Sequence, residues 1–511
     1  MKTPGYLGID VGTSGLSVLF LDEELRIRGS GDGSYEMVPG LETGCYEQQP
    51  GDWERALGAA MADLRAKLAP LGVEPEIRAI GISGQMHGEV LCDAAGEPLA
   101  PARLWCDGRN EAEGHELTGL LGVKCPKRMT ATRWLWTIRN RPELARRVAH
   151  LTTPGGWIAR RLTGEWTLGI GDASGMFPID QATLDYDSRR LADFDALVAR
   201  TAPGLTLPSL AELLPAVRRA GEDAGSLDAR GAALLGLPEG VPVAAAEGDQ
   251  PAALAGSLIA AAGTVSMSFG TSVVANSVGD RPFEGVDQAV DHFSAVDGKP
   301  INMVCLRNGT TALNMIVGMF GHALPAGSDP FETVMPLVLA APDDCGGLAA
   351  LPFIDDEPGL GIATGGSACL VHLTDANATP GNAARAMLLA TIFNLKIGSD
   401  VLDTQGYPRS EIVLSGGLVK TPALGQLVAD VFNTPVVILD CGSEGSGFGA
   451  ALLATYRDRR QAGDTGSWEA FLDSQAPTPA HRFTPRSAAV AVLGRSYARH
   501  RRLVAAQREL A

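Results

Sequence analysis

Tyr6-Leu-Gly-Ile-Asp-Val-Gly-Thr-Ser-Gly-Leu-Ser-Val-Leu-Phe-Leu21 is the stretch whose reading decides the fold. Two apolar, β-forming runs flank a tight Gly12-Thr-Ser-Gly turn, the pattern of a β-hairpin, and Asp10 stands where the first strand enters the turn. Such a turn can handle phosphate. Small residues let the backbone approach a polyphosphate, free amides and the hydroxyls of Thr13 and Ser14 can bind oxygens, and a carboxylate can hold a hydrated divalent cation. The same residues also make an ordinary hairpin. What gives the first reading weight is a second copy: Val265-Ser-Met-Ser-Phe-Gly-Thr-Ser-Val-Val-Ala275 repeats strand, Gly-Thr-Ser, strand, so the two turns look like corresponding parts of two similar domains.

The length allows for two domains. A chain of 511 residues with 45% hydrophobic and 20% charged content is globular and too long for one core. A formal charge of -17 repels phosphate backbones and anionic membranes, which argues against both as main partners. The eight cysteines, at 45, 92, 106, 125, 305, 345, 369 and 441, contain no C-x-x-C pair and fit reduced cytosolic thiols. The N-terminus enters a strand at once, without a basic-then-apolar leader, and no apolar run suits a membrane span, so the expectation is a cytoplasmic protein.

Four further segments carry candidate chemistry. Arg78-Ala-Ile-Gly-Ile-Ser83 reads as a buried strand leading into Gly84-Gln-Met-His-Gly88; His87, between apolar residues, is either a satisfied core histidine or a ligand contact at a strand end. Leu104-Trp-Cys-Asp-Gly-Arg109 pairs an aromatic with an acid and a base, and a salt-bridged turn would explain Asp107 and Arg109 equally well. Gly164 to Asp180 reads as short strands around Gly171-Asp-Ala-Ser-Gly175, with nothing catalytic evident. Val241 to Ala246 reads as a strand ending at Glu247-Gly-Asp-Gln250, followed by a small-residue helix from Ala252 to Ala262. Asp249 thereby lies beside a helix N-terminus, where it is a candidate general base or simply a helix cap. Helices are also expected from Asp52, as N-cap, to Leu68, over Thr132 to His150 and Arg385 to Leu395, and from Glu444 onward. Glu411-Ile-Val-Leu-Ser-Gly-Gly417 is a strand running into a double glycine against which a flat base or ribose can pack.

Taken in order, Asp10 to Ser14, Gly81 to Gly88, Leu104 to Arg109, Gly248 to Gln250, Gly270 to Ser272 and Ser415 to Leu418 resemble the FGGY carbohydrate kinases over nearly the whole chain. The resemblance implies two actin-like (ribonuclease H-like) α/β domains, here drawn at 1–245 and 246–511, with a catalytic cleft between them. It further implies ATP with Mg2+ and transfer of the γ-phosphoryl to a sugar hydroxyl. By position, Asp249 would be the catalytic base, and Met86, His87, Trp105, Asp107, Arg109 and Gln250 would line the sugar side. Gly12, Thr13, Ser14 and Gly270, Thr271, Ser272 would line the phosphate path, and Gly416 and Gly417 the adenosine site. Asp10, with Asp249, would organise magnesium through water. The Ser83–Gly88 run is most similar to xylulokinases, so D-xylulose is the expected acceptor, with ribulose, erythritol or another polyol as alternatives and a non-catalytic actin-like regulator as the other class. Gln250 stands where xylulokinases commonly carry Asn, and Asp355-Asp-Glu-Pro-Gly359 departs from their second-domain loop. The small-molecule sugar and ATP are the expected partners, with a homodimer as the assembly to test.

Overall fold

The computed structural model describes residues 2–325, 327–439, 445–475 and 479–510. The chain divides into two compact units, each built from three segments: Met1–Ala260, His292–Pro300 and Glu444–Ala476 in the first, Ala261–Asp291, Ile301–Ser443 and Pro477–Ala511 in the second. Both are α/β units whose mixed sheets are flanked by helices.

In the first unit, β1 (Lys2–Val11) and β2 (Gly15–Asp22) form the expected antiparallel hairpin, with Asp10 opposite Ser17 and Val11 opposite Leu16. β3 (Ile27–Ser34) extends it, and helix α1 (Pro50–Leu68) packs across β2 and β3. This helix begins before Asp52: Pro50 fills its first turn, where a missing N–H costs nothing, and Asp52 lies inside that turn rather than capping it. β4 (Glu74–Gly84) returns parallel to β1. The amphipathic pattern after Cys125 gives α2 (Thr130–Asn140), which stops short of the expected His150 because Pro142 starts a separate turn of helix. Gly171 to Gly175, expected among strands, is helical within α3 (Ile170–Met176). The strand expected over Val241 to Ala246 is present only as isolated bridges at Pro242 and Val243; the strand itself, β5 (Glu247–Gly248), comes after it, parallel to the end of β4, and α4 (Asp249–Gly256) follows. α4 ends well before Ala262, with Gly248 rather than Asp249 as its cap. The sheet order is β5-β4-β1-β2-β3.

The second unit repeats this plan. β6 (Thr264–Phe269) and β7 (Val273–Val278) form an antiparallel hairpin, β8 (Pro300–Leu306) pairs with β7, and β9 (Glu411–Gly416) runs parallel to β6. Helix α5 (Pro380–Thr404) is longer than Arg385 to Leu395 at both ends, with Thr379 capping it and Pro380 in its first turn. β10 (Val436–Ile438) and β11 (His481–Phe483) extend the sheet beyond β9, the strand Val290–Ser294 lies at its other edge beside β8, and α6 (Ser487–Leu510) is the basic tail helix. Reading outward from the parallel strand, β4-β1-β2-β3 and β9-β6-β7-β8 are the same order. The repeat seen in the two Gly-Thr-Ser turns therefore extends to the sheets around them.

Each unit has its own apolar core. The first centres on Leu7, Ile9, Phe20, Trp53, Ile82, Trp134 and Trp157, the second on Met267, Phe269, Val304, Phe353, Leu395 and Phe432. The helix Gly445–Gln461 belongs to the first unit, lying across β1 and β4; the expected start at Glu444, like Cys441, lies outside the described residues. Among the described residues no helix is long and apolar enough to cross a membrane.

Candidate active site

The first hairpin turn is held from several sides. The Gly12 amide donates to the Gly15 carbonyl at 3.0 Å, and the buried Tyr35 hydroxyl reaches the carbonyls of Gly12 and Gly15. Gln48 donates to the Thr13 carbonyl at 2.8 Å, and Gln85 donates to both Gly12 and Gln48. This leaves the Ser14 side exposed. Asp10, at the end of β1, accepts the Ser83 hydroxyl on one oxygen and the Ser446 hydroxyl on the other, each at 2.7 Å. Ser446 opens the helix Gly445–Gln461, and nothing in its local sequence marked it as a partner of Asp10.

Asp249 is the first residue of α4, not its cap. The backbone N–H groups of Met86 and Gln250 stabilise its carboxylate, but loss of water around it, helped by the charge of Asp10, pushes its pKa up to about 7. Behind it lie two more buried acids. Glu247 accepts the Asp172 amide at 3.0 Å, and Asp172 accepts the Thr153 hydroxyl at 2.5 Å while its Oδ1 has no partner. Burial, eased by Thr153 and reinforced by Asp249, raises Asp172 to about 8; burial and then Asp172 raise Glu247 well above the ordinary range. A side chain at Gly169 or Gly171 would sit within 2.4 Å of the Glu247 carboxyl, which is why small residues precede Asp172. The sequence reading missed this acid cluster because Gly-Asp-Ala-Ser-Gly has the composition of a turn.

Met86 and His87 are both buried. His87 adopts a left-handed backbone with φ of 66°, and its Nδ1 lies 3.0 Å from the Gly175 carbonyl, so Nδ1 carries the proton and Nε2 is left as an acceptor. Burial, then the charge of Arg128, keeps the ring neutral by lowering its pKa well below the ordinary value. Phe293 packs on it, with ring centroids 5.4 Å apart.

The Leu104–Arg109 turn splits into two behaviours. Asp107 is fully buried and receives the Tyr46 amide and the Arg109 guanidinium, while Arg109 also grips Glu47 at 2.6 Å. Burial alone would raise the Asp107 pKa; these donors hold it below the ordinary range. This is the salt-bridged turn. Trp105, 44% exposed, is free to face a ligand, and its indole N–H donates to the Thr13 hydroxyl at 3.0 Å. That bond joins the turn to the first hairpin. Gln250 follows Asp249 in the first turn of α4.

In the second unit, the Gly270 amide donates to the Ser272 carbonyl at 2.9 Å, and Thr271 and Ser272 are exposed. Gly416 has φ of 77° and ψ of -156°, a conformation that only glycine adopts freely, and a Cβ there would lie 2.7 Å from the Phe269 carbonyl. Gly416 and Gly417 are exposed at the end of β9, beside the β6–β7 turn.

Residues 5–256 match the family model for the N-terminal domain of the FGGY carbohydrate kinases, and residues 265–457 match the model for the C-terminal domain. The chain belongs to the FGGY family of carbohydrate kinases. Among FGGY relatives, the chain is 29% identical to the xylulose kinase of Haemophilus influenzae, over 88% of this chain and 90% of that one. It is 30% identical to the xylulose kinase of Streptomyces coelicolor, over 85% and 84%. Its fold is like that of xylulose kinase from Rhodospirillum rubrum, with a TM-score of 0.81, 22% identity and 98% of each chain covered. It is also like Plasmodium falciparum glycerol kinase with ADP, with a TM-score of 0.79, 20% identity and 98% of each chain covered.

Proposed function

We propose that this FGGY kinase transfers the γ-phosphoryl group of ATP to a hydroxyl of a small sugar, with D-xylulose as the preferred acceptor and D-xylulose 5-phosphate as the product. The observation that carries the proposal is Asp249: a carboxyl at a helix N-terminus, beside Asp10, with its pKa raised to about 7, where a general base is most effective near neutral pH. Phosphoryl transfer asks mainly for positioning and charge neutralisation, so a base near the acceptor hydroxyl and donors along the phosphates are the parts required.

Asp249 takes the proton from the acceptor hydroxyl as it attacks. Neutral His87 accepts a sugar hydroxyl through Nε2, and Met86, Trp105 and Gln250 contact the sugar, while Asp107 and Arg109 hold the Trp105 turn in shape. Gly12, Thr13 and Ser14, with Gly270, Thr271 and Ser272, line the phosphates, and the open backbone at Gly416 and Gly417 takes the adenosine. Asp10 suits a hydrated magnesium ion: each of its oxygens accepts one hydroxyl and keeps capacity for water. Asp10, with Asp249, would hold the ion through water, and the ion would supply charge neutralisation at the phosphates.

The preference for D-xylulose is supported by the Met86-His87 pair and by the xylulose kinases among the relatives. Ribulose, erythritol or a similar polyol is the alternative, favoured by Gln250, whose longer side chain would reposition the amide in a polar pocket. A coupled assay of ADP release over ketopentoses and polyols, against an ATP-only blank, tests both readings. Release with D-xylulose exceeding every other acceptor supports the proposal. ADP release no greater with any sugar than in the ATP-only blank would instead favour an actin-like ATP-binding regulator without sugar turnover.

A further inference from the structure

Arg133, on α2, is fully buried and has no part in the chemistry above. Its Nη1 donates to the carbonyl of His87 at 3.1 Å and to that of Arg128, and its Nη2 donates to the carbonyls of Trp105 at 2.8 Å and Asp107 at 3.4 Å. Among the described residues all of its hydrogen-bond acceptors are backbone carbonyls, and its Nε has no partner. Its neighbour Arg103 is different, being a buried ion pair that places Nη2 2.7 Å from Glu89. Burial, and then the charge of Arg103, lower the Arg133 pKa to about 9. Keeping a guanidinium in such a place is costly unless the carbonyls it gathers need gathering.

Three of the four carbonyls it joins, those of His87, Trp105 and Asp107, come from the two turns that carry the proposed sugar contacts. One holds His87 in a left-handed backbone, and the other presents Trp105 above the buried Asp107. These turns are far apart in sequence, and a planar fork of five donors can bridge them where a lysine, with one donor centre, cannot. We infer that Arg133 is a positioning residue for the acceptor sugar, fixing the His87 turn and the Trp105–Asp107 turn in the one arrangement that binds it. This rests on the sugar-kinase reading above. Arg133 touches no sugar itself; it acts through His87 and Trp105, and the second unit's Gly270–Ser272 and Gly416–Gly417 contacts with nucleotide do not depend on it.

The test is steady-state kinetics of the full-length chain, R133K and R133M, with sugar and ATP each varied, alongside hydrogen exchange at residues 85–88 and 104–108. R133M is expected to raise the sugar KM on the order of tenfold to a hundredfold, as for a displaced positioning group. The ATP KM should change much less than the sugar KM, because among the proposed nucleotide contacts Thr13, through Trp105, is the one tied to the turns that Arg133 holds. R133K, which keeps the charge but loses the fork, should fall between wild type and R133M, with faster exchange in both turns. If R133M does not fold, R133K alone decides. Equal changes in sugar and ATP KM, an unchanged sugar KM in both variants, or a loss confined to kcat would overturn the inference while leaving the kinase reading intact. A wild-type chain that phosphorylates no sugar overturns both.

Discussion

Asp249 combines two demands that usually conflict. As the proposed general base it would have to be charged to accept a proton, yet a carboxylate of ordinary acidity would be a feeble base at neutral pH; loss of water and the nearby Asp10 charge lift its pKa to about 7. The sign follows directly. Because the unprotonated form is the active one, kcat/KM for sugar should rise with pH through an inflection near 7 and then level off, and a pH–rate profile checks this. An ordinary aspartate would already have levelled off below pH 5. Asp107 and Arg109, which the resemblance places on the sugar side, satisfy each other and Glu47, and Trp105 is the exposed member of that motif.

At the level of elements, the buried acids behind β5 shape the stability of the first unit. Asp249 and Asp172 have folded pKa values of about 7 and 8, and Glu247 is raised as well, all above their unfolded values near 4. A raised acid stabilises the fold fully below its unfolded pKa, and that contribution is lost as pH rises through the folded value. The Tm should therefore fall between about pH 4 and pH 8. Asp172→Asn, which keeps a partner for Thr153 without the charge, should flatten that slope and raise the Tm at pH 8; an unchanged slope in thermal melts would refute the assignment. The helix Gly445–Gln461 offers a second check. It approaches the sheet so closely that a Cβ at Gly81 would lie 1.7 Å from the Ala450 carbonyl, so Gly81→Ala should destabilise the unit by about 1–3 kcal/mol or more in denaturant melts. Much of this architecture was legible in the sequence. The two Gly-Thr-Ser hairpins, the strand from Arg78 and the Gly416–Gly417 turn all follow from local pattern. The rest depended on distant partners. Gly171 to Gly175 is helical, with the distant Glu247 carboxyl accepting the Gly171 and Asp172 amides at the helix start, although its composition is that of a turn. Arg133, among Thr-Ala-Thr-Arg-Trp-Leu-Trp, carried no sign of burial because three of its four acceptors lie 26 to 46 residues away.

Across the whole molecule, the shared strand order of the two units gives each its own hairpin; the proposed sugar contacts lie in the first unit and the proposed adenosine contacts in the second, with phosphate contacts proposed in both. Hydrogen exchange should therefore separate them: ATP alone should protect residues 269–272 and 416–420 in the second unit, and sugar alone should protect 85–88 and 104–109 in the first. Protection of the first-unit turns by nucleotide but not by any sugar would remove the sugar site from that unit. The account stands most directly on phosphoryl transfer itself, followed by phosphorus NMR of the full-length chain with ATP, Mg2+ and D-xylulose. Wild type should convert ATP to ADP and a sugar phosphomonoester, and Asp249→Asn should slow this by roughly 10² to 10⁴-fold while still binding ATP. A wild-type chain that yields only inorganic phosphate, or an Asp249→Asn variant that forms the phosphomonoester at the wild-type rate, would contradict it.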